Sequence, residues 1–303
     1  MQATGKYYLF RLAIGHDENV EITESEYEAL VKARKILIEV TSMEEKFFAV
    51  CEHYREIEEY VFKASLNNMV FGLHGAAEIH AIGAQFGRLV ASLLSSVRLY
   101  QDALLSHIDI ISTKAVPAED MKVKLSEEYD GQLSYRVMEA IRNHAQHRAF
   151  PVHSTRFGAT WDKDRTELLF YSEFFFEVSL IEDDPKFKKS IKKELIEIGE
   201  KFDLKLGVRN YFGSICRIHK HAQELVKKFK VEADEDLTAA RKKWTEKHSD
   251  LEFLAVAACK LHEGILVDGY KKVYLNPQME EYRESLEKKT SHMQNMELRK
   301  IPF

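Results

Sequence analysis

The sequence predicts a mainly α-helical protein: a helical bundle with one β-hairpin insertion and extra helices in its C-terminal part. Three observations predict this. Apolar residues recur at alternating spacings of three and four over long stretches, the period of an amphipathic helix. Only five prolines, at 117, 151, 185, 277 and 302, punctuate 303 residues. Strand-forming aromatic and β-branched residues concentrate in one segment, 154–181.

Residues 4–14 read as a short strand. A helix then begins at "ITESEYEAL", where Thr23 is the N-cap and Glu26, three residues on, completes a capping box. Its stripe continues through Met43, Phe47, Val50, Tyr54, Ile57 and Val61, carrying the helix to about residue 67. A second long helix starts at "HGAAEIHAIG". Ile79, Ile82, Phe86, Leu89, Leu93, Val97, Tyr100 and Leu104 form its stripe, and a small-residue face (Ala77, Ala81, Ala84, Ser92, Ser95) admits a close neighbour. A loop containing Pro117 comes next. Residues 127–149 form a third helix with Leu133, Val137 and Ile141 inward, ended by Pro151, which has no amide donor and drives the preceding residue out of the α region. Segment 154–181 folds as a hairpin about Asp162-Lys163-Asp164. Helices return at about 186–202, 208–230, 234–248, 251–265 and 277–290.

Composition narrows the function classes. At 45% hydrophobic and 31% charged residues the chain reads as a soluble globular protein, and no stretch is long and apolar enough to suggest a transmembrane helix or membrane partner. The N-terminus lacks a signal peptide's apolar stretch. A net charge of −5 argues against a polycation that coats nucleic acid through charge alone. Three scattered cysteines, Cys51, Cys216 and Cys259, form no CxxC, which argues against a disulfide framework or thiolate zinc site and fits a reducing, cytoplasmic location.

Against that acidic background, residues 136–156 hold four arginines and three histidines against one acid, Glu139. Cations are favoured near a helix C-terminus, which accounts for one or two of them. The rest form a constellation in "AIRNHAQHRAF". Asn143 and His147 lie four apart, on one helical face, and the long Arg142 side chain can swing toward the same place. Histidine takes and returns a proton near neutral pH. Arginine grips a phosphate or pentacoordinate phosphorus with its planar fork. Asn143 orients either group. The set suits attack of a ribose 2′-hydroxyl on its neighbouring phosphate, a metal-independent RNA cleavage that needs no cofactor and leaves a 2′,3′-cyclic phosphate.

Competing constellations are weaker. His144, His147 and His153, or His219 and His221 in "RIHKH", have no carboxylate beside them, and "HEGIL" at 262 lacks the second histidine of a zinc motif. Arg148 to His153 repeats the arginine–histidine spacing but is broken by Pro151, and Arg241 to His248 has no neighbouring amide. There is no G-x-S-x-G, Walker A or G-x-G-x-x-G motif. "KFKKSIKKELIEIGEKF" alternates charge along a helix and reads more as a solvated face than as an RNA track.

"IRNHAQH" resembles the R-N-x-x-x-H signature of the HEPN superfamily, the Arg-x4–6-His ribonuclease fold of toxin and defence systems. The resemblance covers about residues 70–153, with the motif late in a helix that comes after a long one. With it the chain divides into a HEPN-like bundle with an N-terminal extension at 1–153, the hairpin insertion at 154–181 read from its residues, and a C-terminal helical region at 182–303 packing on the bundle, the last two outside the resemblance. The resemblance implies a homodimer with facing motifs that act on RNA, Arg142 and His147 as the catalytic pair, Asn143 as their polar support, and an antitoxin or regulatory partner. Some members bind without cutting, so the alternative is a non-catalytic helical module that holds RNA, a nucleotide or a protein partner.

Overall fold

The computed structural model describes residues 5–73, 75–112, 115–147, 150–181, 187–249, 253 and 255–299. The described chain is mainly α-helical, with two small antiparallel sheets. It forms two compact units. One comprises residues 1–45, 104–118 and 222–290; the other comprises 46–103, 119–221 and 291–303. The long helices α1 (Glu24–Phe71), α2 (Ala76–Ser112) and α6 (Leu204–His248) contribute residues to both.

The start of α1 has the expected capping box. The Glu26 amide donates to Thr23 Oγ1 at 3.1 Å, and the Thr23 amide donates to Glu26 Oε2 at 2.6 Å. All six stripe residues from Met43 to Val61 are buried. On α2 the stripe residues Phe86, Leu93, Val97, Tyr100 and Leu104 are buried together with Val90 and Leu94, while Leu89 is half-buried. The close-packing face of α2 differs from the expected one. Ala77, Ala81, Ala84 and Ser95 are exposed, and Gly83 and Gly87 receive the neighbour instead.

The unit built from residues 1–45, 104–118 and 222–290 contains a sheet whose first strand lies within the expected strand at 4–14 and whose other strands were not anticipated from sequence. Strands β1 (Lys6–Arg11) and β2 (Asn19–Ile22) pair with each other, and β1 pairs with β6 (Val256–His262), which also pairs with β7 (Ile265–Leu266) and β8 (Val273–Tyr274). The expected helix at 251–265 is therefore wrong. Val256 to Leu261 are all buried, because a central strand covered on both faces needs no polar alternation and its short apolar run carries no period. "HEGIL" is the turn from β6 to β7: Glu263 and Gly264 both have positive φ (49° and 79°) between the paired His262 and Ile265. Charged residues link α6 to α7 (Gln278–Thr290) through Arg283 to Asp234 and Lys230 to Glu287, at 2.8 and 2.6 Å.

The other unit carries the remaining elements: most of α3 (Ala115–Gly131), then α4 (Leu133–His147), β3 (Ser154–Trp161), β4 (Leu168–Glu177), α5 (Lys189–Ile198) and β5 (Lys201–Asp203). The expected hairpin is present, its turn held by Asp162, which accepts from the Thr166 and Glu167 amides. Strand β5 adds to its β4 edge. The sheet's inner face, Ser172, Phe174 and Phe176, is buried, and Phe174 stacks on Phe86 of α2 at 3.9 Å.

Four helix boundaries depart from expectation. Pro117 lies in the first turn of α3 and not in a loop, a place where the missing amide costs nothing. The expected helix at 127–149 breaks at Gly131-Gln132 into α3 and α4. The expected helix at 186–202 stops at Gly199 (φ 137°) before β5, while the two expected at 208–230 and 234–248 are one, α6. No helix of the described residues is long and apolar enough to cross a membrane.

Candidate functional site

Helix α4 positions the arginine-rich cluster. Tyr135, Val137, Met138, Ile141 and His144 are buried, so Val137, Ile141 and His144 make an inward row at i, i+4 and i+7. Leu133 is only half-buried. His144 therefore continues the core stripe. Its ring lies 5.8 Å from Phe176 and 6.3 Å from Phe187, both edge-on.

Arg142 leans toward a buried polar network. Its Nη1 is 3.2 Å from Glu139 Oε2, one turn earlier, and both side chains are largely covered. Glu139 Oε1 accepts from the hydroxyl of Tyr211 on α6 at 2.5 Å. Burial, and then the Glu139 charge, push the Tyr211 hydroxyl well above the ordinary tyrosine range, so it stays protonated and keeps donating. The Tyr135 ring stands 5.2 Å from Tyr211, and its oxygen accepts from Gln101 of α2. Burial raises the Tyr135 hydroxyl too, again aided by Glu139.

The outer side of Arg142 meets Asn143. Nη2 donates to Asn143 Oδ1 at 2.9 Å, and Asn143 is exposed. Nε and Nη1 are buried without a hydrogen bond among the described residues. The guanidinium is thus gripped from within by Glu139 and oriented from without by an amide, with donor capacity left over. His147 ends α4; its side chain lies outside the described residues, as do Arg148 and Ala149. The structure thus brings Arg142 and Asn143 together and is silent on the imidazole.

The segment from Phe150 to Thr155, on the C-terminal side of α4, is tightly placed. A Cβ on Gly87 would meet Phe150 Cβ at 3.2 Å and Val152 Cγ2 at 3.3 Å, and one on Gly83 would meet Thr155 Oγ1 at 2.5 Å. Two glycines one turn apart on α2 therefore let the segment leaving the motif lie directly on the helix. His153 then anchors it to β4. Its amide donates to the Phe175 carbonyl at 2.9 Å, and its Nδ1 accepts from the Glu177 amide at 3.1 Å. Burial, and then the neighbouring His144, push the His153 imidazole below its usual range, so it serves as a neutral bracket.

His219 and His248 take structural places. His219 is buried, stacked on Phe47 at 3.6 Å and hydrogen-bonded to the Tyr100 hydroxyl at 3.0 Å. His248 contacts the Asn19 carbonyl, while Arg241 binds the Leu275 carbonyl and Glu280. Among the described residues no group of three metal-ligating side chains converges. Cys51, Cys216 and Cys259 are buried and in no disulfide; burial raises the Cys259 thiol to about 11. Sequence reasoning missed the part played by Glu139 and Tyr211. The i, i+3 spacing of Glu139 and Arg142 was a usable signal, but Tyr211 had none.

No protein-family model matches this chain, and no curated protein or solved structure matches it significantly.

Proposed function

We propose that this chain is a HEPN-type, metal-independent endoribonuclease that works as a homodimer in a toxin or defence setting. The observation that carries the reading is the Arg142–Asn143 pair. A guanidinium oriented by an exposed amide stands near the C-terminal end of α4, one turn before His147. In the proposed reaction the ribose 2′-oxygen attacks its neighbouring phosphorus while His147, or its counterpart in the second subunit, accepts the hydroxyl proton. The P–O5′ bond breaks, and the 5′-oxygen leaves with a proton from the other imidazole. Arg142 holds the non-bridging oxygens as negative charge gathers on them, and Asn143 keeps the fork aligned.

The Glu139 contact bears on this reading. It already neutralises the guanidinium, so an incoming phosphate takes the carboxylate's place. The same contact favours a second reading, a non-catalytic module in which Arg142 binds RNA or a partner without turnover. One experiment separates the two: cleavage of a labelled RNA by the purified protein in EDTA, with products analysed for a 2′,3′-cyclic end. His147→Ala and Arg142→Ala each lower the rate by about 10²–10⁴-fold with helix content unchanged. Saturable binding with no cleavage by the wild-type protein selects the second reading.

A further inference from the structure

A cavity of about 390 Å³ opens in the unit built from residues 1–45, 104–118 and 222–290. Three elements line it: the start of α1, the C-terminal end of α2 and the turn between β7 and β8. Its floor is apolar. Ile36 is buried, and Val31 and Ile110 are half-buried. Two aromatic rings complete the wall: Tyr27, which is buried, and Tyr270, which keeps 41% of its surface exposed.

The rings are held by contacts that use their hydroxyls. Tyr27 donates to the Lys271 carbonyl at 2.7 Å, which ties the turn to α1, and Gly269 enters that turn with φ 83°. Tyr270 accepts from Lys260 Nζ at 2.9 Å, and the same ammonium stands 4.3 Å from its ring centroid. Both hydroxyls are engaged, so the cavity is offered ring surface. Around it stand Lys32, Lys35 and Lys271, all exposed, and one acid, Glu28. None of the three ammonium groups has an ion-pair partner among the described residues. Glu28 lies four residues before Lys32 and Glu39 four after Lys35, a spacing at which helical pairs form, yet neither pair is made. Glu39 takes His107 at 2.6 Å instead, while Glu24 and Glu26 are held by Tyr7 and Lys243 at 2.5 and 2.7 Å. Asp109 and Asp268 adjoin lining residues in sequence without lining the cavity, as does Lys272. The lining therefore carries an excess of two positive charges above an apolar floor.

We infer that this cavity binds a small phosphate monoester carrying a flat ring, its ring against Tyr27 and Tyr270 and its phosphate among Lys32, Lys35 and Lys271. Charge and shape select this class. A phosphate monoester carries about −1.5 to −2 near pH 7, which answers the excess, whereas a carboxylate answers only half of it. A flat ring matches the tyrosine wall. The volume stands at the small end of the range for ligand pockets, about 300–1,000 Å³, and three aliphatic side chains give too little wall for a long acyl chain.

The test is isothermal titration calorimetry of the purified chain with phenyl phosphate, UMP and AMP, beside inorganic phosphate and benzoate. Lys32→Gln, Lys35→Gln and Lys271→Gln are made singly and together; the side chains are exposed, so thermal unfolding is expected to be unchanged. The expected result is one saturable site per chain for a ring-bearing phosphate. Each single change weakens it about two- to fivefold and the triple change about tenfold or more. Inorganic phosphate and benzoate bind more weakly than the best ring-bearing phosphate. Preference for UMP or AMP over phenyl phosphate identifies a nucleotide as the source, and the reverse identifies a simple aryl phosphate. The inference is overturned if no ring-bearing phosphate saturates the wild-type protein, if the triple variant binds as tightly, or if inorganic phosphate binds as well. Binding lost in Arg142→Ala but kept in the triple variant would assign the ligand to α4 and also overturn it. Val31→Trp fills the floor and abolishes binding with the lysines intact; undiminished binding by a folded Val31→Trp protein rules the cavity out.

Discussion

Arg142 is placed at some energetic cost. A guanidinium with Nε and Nη1 buried and not hydrogen-bonded forgoes about 1–3 kcal/mol for each missing partner, and Glu139 offsets part of this through charge. Tyr211, held protonated by burial, keeps the carboxylate aimed. This arrangement makes Glu139 a restraint on Arg142, which leads to a signed prediction. Glu139→Gln keeps the shape and the Tyr211 hydrogen bond but removes the counter-charge. Folding stability drops by about 1–3 kcal/mol in urea denaturation, because a largely buried cation loses its partner. Affinity for oligouridine rises, because the phosphate no longer displaces a carboxylate. A parallel fall in affinity would mean that Glu139 helps build the binding surface, and the restraint would have to be abandoned.

At the level of elements, the segment after α4 is held by α2 glycines and not by its own hydrogen bonds alone. Gly87 is the cleaner test because its nearest neighbour is the Phe150 Cβ at 3.2 Å, with Val152 Cγ2 at 3.3 Å and Pro151 Cδ at 3.6 Å, whereas the nearest atom at Gly83 is the rotatable Thr155 hydroxyl. Gly87→Val overpacks the contact and costs about 1–3 kcal/mol, against which helix propensity returns less than about 1. Since this segment begins three residues after His147, RNA cleavage falls more than stability explains. Fully retained cleavage in a folded variant would show that the exit path does not set the motif. The elements also differ in how far their sequences disclosed them. The α1 stripe and its Thr23–Glu26 box were readable because helix period and capping are local. The hairpin was readable because Asp162 closes its turn through nearby amides. Strand β6 was not, since Val256 to Leu261 owe their extended form to pairing along their length with β1, some 250 residues away in the chain. The small-residue face of α2 misled for a similar reason: which small residues are covered depends on what arrives, and the arrivals were Phe150 to Thr155.

For the molecule as a whole, the proposed RNA reading has to be squared with a net charge of −5. The arginines of α4 are balanced locally, Arg142 by Glu139 and Arg136 by Glu194 of α5. The Arg142–Asn143 contact joins chain neighbours and was legible, and the i, i+3 spacing of Glu139 could have been read, while the Tyr211 contact could not, because α6 lies more than sixty residues further along. A second subunit would double the local charge and bring two imidazoles to one phosphodiester, which is the arrangement the proposed chemistry needs. That arrangement can be tested by mixing. Wild-type and His147→Ala proteins, co-refolded, form heterodimers that hold both guanidinium groups but a single imidazole. If two imidazoles serve one phosphodiester, the heterodimer is inactive and cleavage follows the wild-type homodimer fraction measured by native mass spectrometry. If each chain works alone, every heterodimer keeps about half the activity. Half-activity from well-formed heterodimers would remove the shared site while leaving a single-chain nuclease standing. A wild-type protein that is monomeric at working concentration would remove the dimer itself.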